Sequence, residues 1–346
     1  MIPHSKPWIT DKDLKTVYSV LRGGRIDQNH RVRLFEKACA QYLGVPDGVA
    51  VGSGTAALTL ALCALELKTR KEVVLPTYVC RNVVEAILTA GYSPVLSDVG
   101  EYWTITPEKV AQVITRKTGA IIVVHLFGIP VDLEGFKKFD LPIIENACQA
   151  FGARIKMEKV GSMGTLGVFS FHATKCLTTG EGGMAVAHEQ WLLEKMRKLR
   201  DGGNLPASRL PSPMTDLQAA LGLSQLSRYP IFLRRRRFIA ERYFEVLSDC
   251  PVALPVRMRH ESIFFRFPIR VPGNFGMIRQ RFAEKGIHVR QGVDALLHRF
   301  MNQSQKKFPN AERLFAETVS LPIYPALTER EQRRVIRACR EVWGTR

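Results

Sequence analysis

The sequence predicts an α/β fold, a largely parallel sheet with helices on both faces followed by a smaller α+β region. Two observations carry this. Short apolar runs at residues 49–51, 72–75, 94–97, 120–125, 142–145 and 166–171 alternate with helical patterns that begin near Thr55 and span 83–90 and 107–115. Beyond residue 203 the alternation stops: Pro206, Pro211 and Pro213 interrupt the chain before a helical pattern starts at Asp216. A strand at 262–271, a helix around 276–286 and a closing helical stretch then follow. At 346 residues the chain exceeds a usual single domain, so a large domain over 1–232 and a smaller one over 233–346 are expected, with the change near 228–237.

Taken in order, residues 11–43 are helical, with Tyr18, Val20 and Leu21, then Val32, Phe35, Ala38 and Tyr42, marking apolar faces around the break at Gly23 and Gly24. The run at 49–51 then meets Gly52 and Gly54 and enters an Ala/Leu-rich helix. A strand that feeds a helix through glycines suits an anion, because first-turn N–H groups and the helix dipole point at the same place. In a parallel sheet ligands gather beyond the carboxyl ends of the strands. Loops 52–56, 76–80 and 146–149 are therefore expected to converge. Residues 143–183 add a run ending near Phe171 that delivers Lys175 into a segment rich in Thr and Gly, a seat for a reactive amine.

Composition narrows the function classes. The net charge of +18 admits nucleic acid, an acidic surface or an anionic small substrate. The densest basic run, 234–237, is expected on the wet side of a helix whose inner face holds Phe232, Phe238, Tyr243 and Leu247. No interleaved aromatic–basic platform or helix-turn-helix spacing supports nucleic-acid binding, so none is expected. Seven scattered cysteines without CxxC spacing suggest neither a disulfide framework nor zinc, and eight histidines form no ligand cluster. No metal is expected. The opening residues lack a signal-like apolar core and no apolar run approaches membrane length, so a cytoplasmic protein without membrane attachment is expected.

Four motifs then carry a family likeness: GSGTAAL at 52–58, ENACQAFGA at 145–153, FSFHATKCLTTGEGG at 169–183 and DLQAALGLSQL at 216–226. In this order, and across almost the whole chain, they resemble the DegT/StrS family of pyridoxal-phosphate-dependent sugar aminotransferases. The resemblance implies a fold type I transferase with a mixed, mostly parallel seven-stranded sheet in the large domain, a small C-terminal domain and a homodimer with its sites at the subunit interface. It implies pyridoxal 5'-phosphate as cofactor, a nucleotide-sugar substrate and an amino-acid donor, with glutamate expected. By position, Lys175 would be the amine that bonds the cofactor and shuttles protons. A Schiff base needs an amine that can become neutral, which partial desolvation beside a cation can provide. Thr55 and Ala56 match the backbone phosphate cradle and Ser170 its hydroxyl donor. Tyr78 matches an aromatic ring stacked on the pyridine, and Gln149 a glutamine near the cofactor's 3-hydroxyl.

Two positions depart from the family pattern. Asn146 stands where the family has aspartate against the pyridine nitrogen, and a neutral amide supplies no charge to hold a proton there. A loss of roughly 1.5–3 kcal/mol would lower the ring-nitrogen pKa by about one to two units. Glu145 points to the opposite strand face and cannot substitute. Pro211 and Pro213 stand where the family often has an asparagine and a basic residue reaching the partner's phosphate. The expectation is an aminotransferase acting on a keto-sugar of a nucleoside-diphosphate sugar, in polysaccharide or antibiotic sugar biosynthesis. The alternatives are a catalytically weakened or inactive fold relative with a binding or regulatory role, and a lyase-type reaction of the same cofactor. Specificity is expected near Gln28, Arg81, the 202–213 loop and residues 290–298. His298 falls where the family often has a histidine, with packing and contact both open.

Overall fold

A computed structural model describes residues 1–202, 213–256, 258–271 and 273–344. Among these, seven strands form one sheet: β1 (Asp47–Val51), β2 (Glu72–Pro76), β3 (Ser93–Ser97), β4 (Thr118–Val124), β5 (Ile143–Asn146), β6 (Leu166–Ser170) and β7 (Gly183–Ala187). Their spatial order is β1, β7, β6, β5, β4, β2, β3. β7 runs antiparallel to both its neighbours and the other pairs are parallel. Strand β4, TGAIIVV, is buried along its whole length, as a central strand covered on both faces must be.

Helices α1 (Asp11–Gly23), α2 (His30–Leu43), α3 (Gly54–Leu65), α4 (Asn82–Thr89), α5 (Pro107–Ala111), α6 (Gln190–Asp201) and α7 (Asp216–Leu247) clothe the sheet. α1 begins at a capping box of Thr10 and Asp13 and ends at Gly24 with φ 73°. α2 is capped from a distance: Asp216 accepts from the N–H groups of Asn29 (3.0 Å), Arg31 (3.1 Å) and Val32 (3.0 Å). The pattern at 107–115 is realised as helix only to Ala111. Beyond it Thr118 Oγ1 accepts from the Thr115 N–H at 2.9 Å, a side-chain bond that competes with helix continuation.

α7 is 32 residues, about 48 Å long at 1.5 Å per residue, and runs unbroken through Pro230 and the whole of 228–237. It packs against α1 and α2 and also against the C-terminal helix Glu329–Trp343. The position 232/233 thus lies inside one continuous helix. Phe232, Tyr243 and Leu247 are buried on its inner face as expected, but two expectations for this helix are corrected. Phe238 is 49% exposed, because Ile239 occupies the buried position on that turn. Arg236 is only 2% exposed; its Nη1 donates to the carbonyls of Phe264 (2.9 Å), Phe265 (3.2 Å) and Ile323 (3.1 Å).

The C-terminal part carries a second sheet of β8 (Phe267–Arg270), β9 (Arg290–Gln291) and β10 (Thr318–Leu321), with β10 antiparallel to both. The expected strand at 262–271 is realised only as β8. Residues 262–266 are irregular: the Ile263 N–H bonds the Gly128 carbonyl at 3.2 Å and Phe264 sits at φ 52°. Asp98, just past β3, caps the helix Pro309–Glu317 through the N–H groups of Asn310 (3.2 Å) and Ala311 (2.9 Å). One hydrophobic cluster joins Tyr78 and Val83 of the sheet region to Phe267 and Leu297 of the C-terminal part. No helix among the described residues is long and apolar enough to cross a membrane.

Candidate active site

The first turn of α3 stands at the carboxyl end of β1. Ser53 caps it, its Oγ accepting from the Ala56 N–H at 3.1 Å, and Thr55 Oγ1 accepts from Asn82 Nδ2 at 3.3 Å. Two glycines let neighbouring loops press against this turn. A β-carbon at Gly54 would lie 2.7 Å from Ser170 Cβ and 3.2 Å from Cys148 Sγ, and one at Gly183 would lie 2.1 Å from the Ser53 carbonyl oxygen. Glycine at both positions is what permits the approach. Thr55, Ala56 and Ser170 are thereby brought together, with helix N–H groups and one hydroxyl forming the donor set an anion uses.

The connection from β6 to β7 holds Lys175 on a pinned loop. Thr178 Oγ1 and the Thr179 N–H both donate to the Phe171 carbonyl (3.1 and 2.9 Å), and the Lys175 N–H donates to that of His172 at 2.8 Å. The side chain is half-buried, with Nζ 5.1 Å from the ring centroid of Phe265. Its charge acts on the thiols of Cys80 and Cys148. Burial pushes the Cys148 thiol up to about 12 and raises that of Cys80, with Lys175 opposing in both, so both thiols stay neutral at pH 7. Cys148 therefore lies against the α3 turn at Gly54, and its thiol feels the Lys175 charge.

Asn146 ends β5 and is 5% exposed. Its Oδ1 accepts from the Cys148 N–H at 3.2 Å, which fixes the sense of the amide because only the oxygen can accept. Nδ2 makes no hydrogen bond to a described residue. Glu145 lies on the opposite face, fully buried, and accepts from His125 Nε2 (2.9 Å) and the N–H groups of Gly161 (2.8 Å), Met163 (2.7 Å) and Gly164 (2.7 Å). His125 Nδ1 accepts from the Val131 N–H at 3.0 Å, so the ring proton is on Nε2. Burial alone would raise the Glu145 carboxyl, but the His125 bond and the loop N–H groups outweigh it and hold it below the ordinary range. Gln149 is half-buried, and its Oε1 accepts from the Phe127 N–H at 2.8 Å, steadying the turn Leu126–Gly128.

One expectation is corrected by burial. Tyr78 is 0% exposed, packed edge-on to Phe127, and a β-carbon at Gly292 would lie 2.1 Å from its hydroxyl oxygen. No face of its ring is open to a cofactor. β2 ends at Pro76 and the chain bends through Thr77–Val79, so the strand alternation that would have aimed Tyr78 at the site lapses there. The residue after that bend is Cys80, whose thiol feels the Lys175 charge and which sequence reasoning missed along with Phe265. His298 is a packing residue: fully buried and stacked on Phe308, it is bonded to Thr77 Oγ1 (2.8 Å) and Glu312 Oε1 (2.7 Å). Arg81 lies over Phe300, 4.3 Å from the ring centroid, and pairs with Glu85 at 2.8 Å. Gln28 donates to Asp201 at 3.2 Å. Pro211 and most of the 202–213 loop lie outside the described residues, while Pro213 forms an isolated bridge with Val51.

A mixed seven-stranded sheet, a glycine-framed helix N-terminus and a lysine on the loop after β6 define the class: a fold type I aminotransferase. Residues 7–340 match the model of the DegT/DnrJ/EryC1/StrS aminotransferase family, and the chain belongs to that family. Solved structures agree. TlmJ from Streptoalloteichus hindustanus, an aminotransferase, superposes with a TM-score of 0.93 at 30% identity, covering 99% of this chain and 98% of its own. A sugar aminotransferase of Streptococcus pneumoniae, Spr1654, solved in its pyridoxal-phosphate form, gives 0.91 at 27%, covering 99% and 98%. DesI, solved in the presence of its TDP-sugar product, gives 0.90 at 26%, covering 99% and 92%. The chain is thus an enzyme, a sugar aminotransferase by family and fold.

Proposed function

We propose that this aminotransferase uses pyridoxal 5'-phosphate and moves an amino group from glutamate to the keto group of a nucleoside-diphosphate sugar. The observation that carries the reading is the convergence at Gly54, where the α3 turn meets Ser170 at the end of β6, the strand that leads into the Lys175 loop, and Cys148 of the loop after β5. The residues present fit the cofactor. The cradle of Thr55, Ala56 and Ser170 would hold a phosphate, and the two glycines permit the loop approach that assembles it. Bound pyridoxal phosphate would supply an electron sink for the carbon next to the transferred nitrogen. Lys175 is the amine that would hold the cofactor covalently and then, as free base, carry a proton between carbons. Its place over Phe265 and its partial burial keep bulk water from part of its side chain.

Asn146 takes the position of the family's ring-nitrogen partner. With Oδ1 committed to Cys148, the atom left to meet a pyridine nitrogen is Nδ2, a donor. It would favour the unprotonated ring, so more of the proton management falls on Lys175. Gln149 would flank the cofactor through Nε2. A homodimer is part of the reading: Leu14, Tyr18 and Leu21 are 61%, 63% and 53% exposed at helical spacing on α1, an outward apolar stripe that a second copy would cover. The cytoplasm is the compartment proposed, where all seven cysteines being free is expected. The similarity to DesI supports the sugar-nucleotide substrate, and the net charge of +18 suits its diphosphate. The test is a half-reaction. Glutamate added to the cofactor-loaded protein should convert its spectrum to that of pyridoxamine phosphate, and a nucleoside-diphosphate keto-sugar should reverse it. Failure of the first step would refute the donor, and failure of the second alone would refute the acceptor.

A further inference from the structure

The arginine run 234–237 is divided by what its side chains meet. Arg235 donates to the carbonyls of Pro325 (3.4 Å) and Leu327 (3.2 Å), and Arg236 is spent on three carbonyls. Arg234 and Arg237, three residues apart and so on one helix face, are left facing a cavity of about 330 Å³. Arg154 lines the same cavity from the loop after β5, and His260 lines it from the segment ahead of β8. Three guanidiniums thus share a concavity with a single carboxylate, that of Glu261. Among the described residues none of the three lies within ion-pair distance of a carboxylate, and the one hydrogen bond from their heads is Arg237 Nη1 to the Arg259 carbonyl (3.2 Å). Arg259 itself is neutralised by Glu241 at 2.7 Å. Arg259 thus has a carboxylate partner, whereas Arg154, Arg234 and Arg237, all solvent-exposed, have none within ion-pair distance among the described residues. Like charges gathered this way repel unless an anion joins them.

We propose that this cavity is a binding site for a small phosphate-bearing anion. Guanidinium forks match phosphate oxygens in pairs, and Leu233, Ile263 and Phe264 give the hollow an apolar wall for the body that carries the phosphate. The hollow is half open to solvent, and its size suits a small molecule rather than a nucleic-acid duplex. The site is separate from the α3 cradle. Residues 262–264 line the cavity, and neither the α3 turn nor Lys175 does, while the ring centroid of the next residue, Phe265, lies 5.1 Å from Lys175 Nζ. Arg236 holds the carbonyls of Phe264 and Phe265, so the same helix turn that presents Arg234 and Arg237 also fixes the backbone at this edge of the cavity.

The experiment is titration calorimetry with inorganic phosphate at low ionic strength, on the protein as purified and again after loading with pyridoxal phosphate, which fills the α3 cradle. The expected result is saturable phosphate binding that persists after loading and weakens roughly tenfold or more in the Arg234→Gln/Arg237→Gln double variant. Arg154→Gln, on a different element, should weaken it as well. The control is Arg330→Gln/Arg333→Gln on the C-terminal helix, which removes the same net charge elsewhere and should leave binding intact. Absence of saturable binding in the wild type, equal affinity in the double variant, or an equal loss in the control would each overturn the proposal. Melting temperatures establish that the variants are folded.

Discussion

The side-chain oxygen of Asn146 accepts a hydrogen bond from the backbone N–H of Cys148 at 3.2 Å. This short contact decides which end of the amide is left over. An aspartate here could accept the same N–H with one oxygen and still offer the other, charged, to a protonated nitrogen. Asparagine offers Nδ2 instead. Asn146→Asp should therefore quicken the glutamate half-reaction, by roughly tenfold or more if about 1.5–3 kcal/mol of charge-assisted bonding is restored. It should also move the pH dependence of the bound cofactor's absorbance. Equal rates and an unchanged pH profile in the two proteins would mean that this position does not govern the ring nitrogen.

Glu145 presents the opposite case, a buried carboxylate held below its ordinary pKa by His125 and loop N–H groups despite burial. A folded-state pKa below the unfolded one adds stability that is complete above the unfolded value, about 4.3, and is lost as pH falls through the folded value. Glu145→Gln turns an acceptor of four donors into a group with N–H donors of its own. The expected cost is about 2–4 kcal/mol at pH 7. Denaturant unfolding should find the gap between variant and wild type narrowing below about pH 4. A constant gap from pH 7 to pH 3 would contradict the assignment.

Gly183 tests the frame of the anion cradle. An alanine β-carbon there would collide with backbone, the Ser53 carbonyl oxygen at 2.1 Å, and backbone cannot swing aside as a flexible side chain can. Gly183→Ala should cost roughly 1–3 kcal/mol by displacing the loop. It should also weaken pyridoxal-phosphate binding beyond what the stability loss explains. Cofactor affinity equal to wild type in a folded variant would show the turn to be mere packing.

Much of this architecture was legible because its signals are local. The apolar run of β4, the glycines before α3 and the alternation that puts Glu145 and Asn146 on opposite faces each declare themselves within a few residues. The failures share a physical cause, an override from distant parts of the chain. The domain change was expected near 228–237, and there packing against α1, α2 and the C-terminal helix keeps α7 one unbroken helix. Arg236 was expected in water, but three carbonyls from two distant segments give its guanidinium the partners that burial demands. Tyr78 was aimed at the cofactor by position in a motif, and the bend after Pro76 turns it into the core. The two residues sequence reasoning missed, Cys80 and Phe265, belong to no motif or spacing pattern, so nothing local singled them out.

The central claim is that Lys175 is the covalent anchor of the cofactor, and the absorption spectrum after incubation with pyridoxal phosphate and desalting tests it directly. Wild-type protein should retain a near-ultraviolet or visible band through desalting, and Lys175→Ala should lose it. A desalted Lys175→Ala protein with the wild-type band, or a wild type that acquires none, would contradict the account.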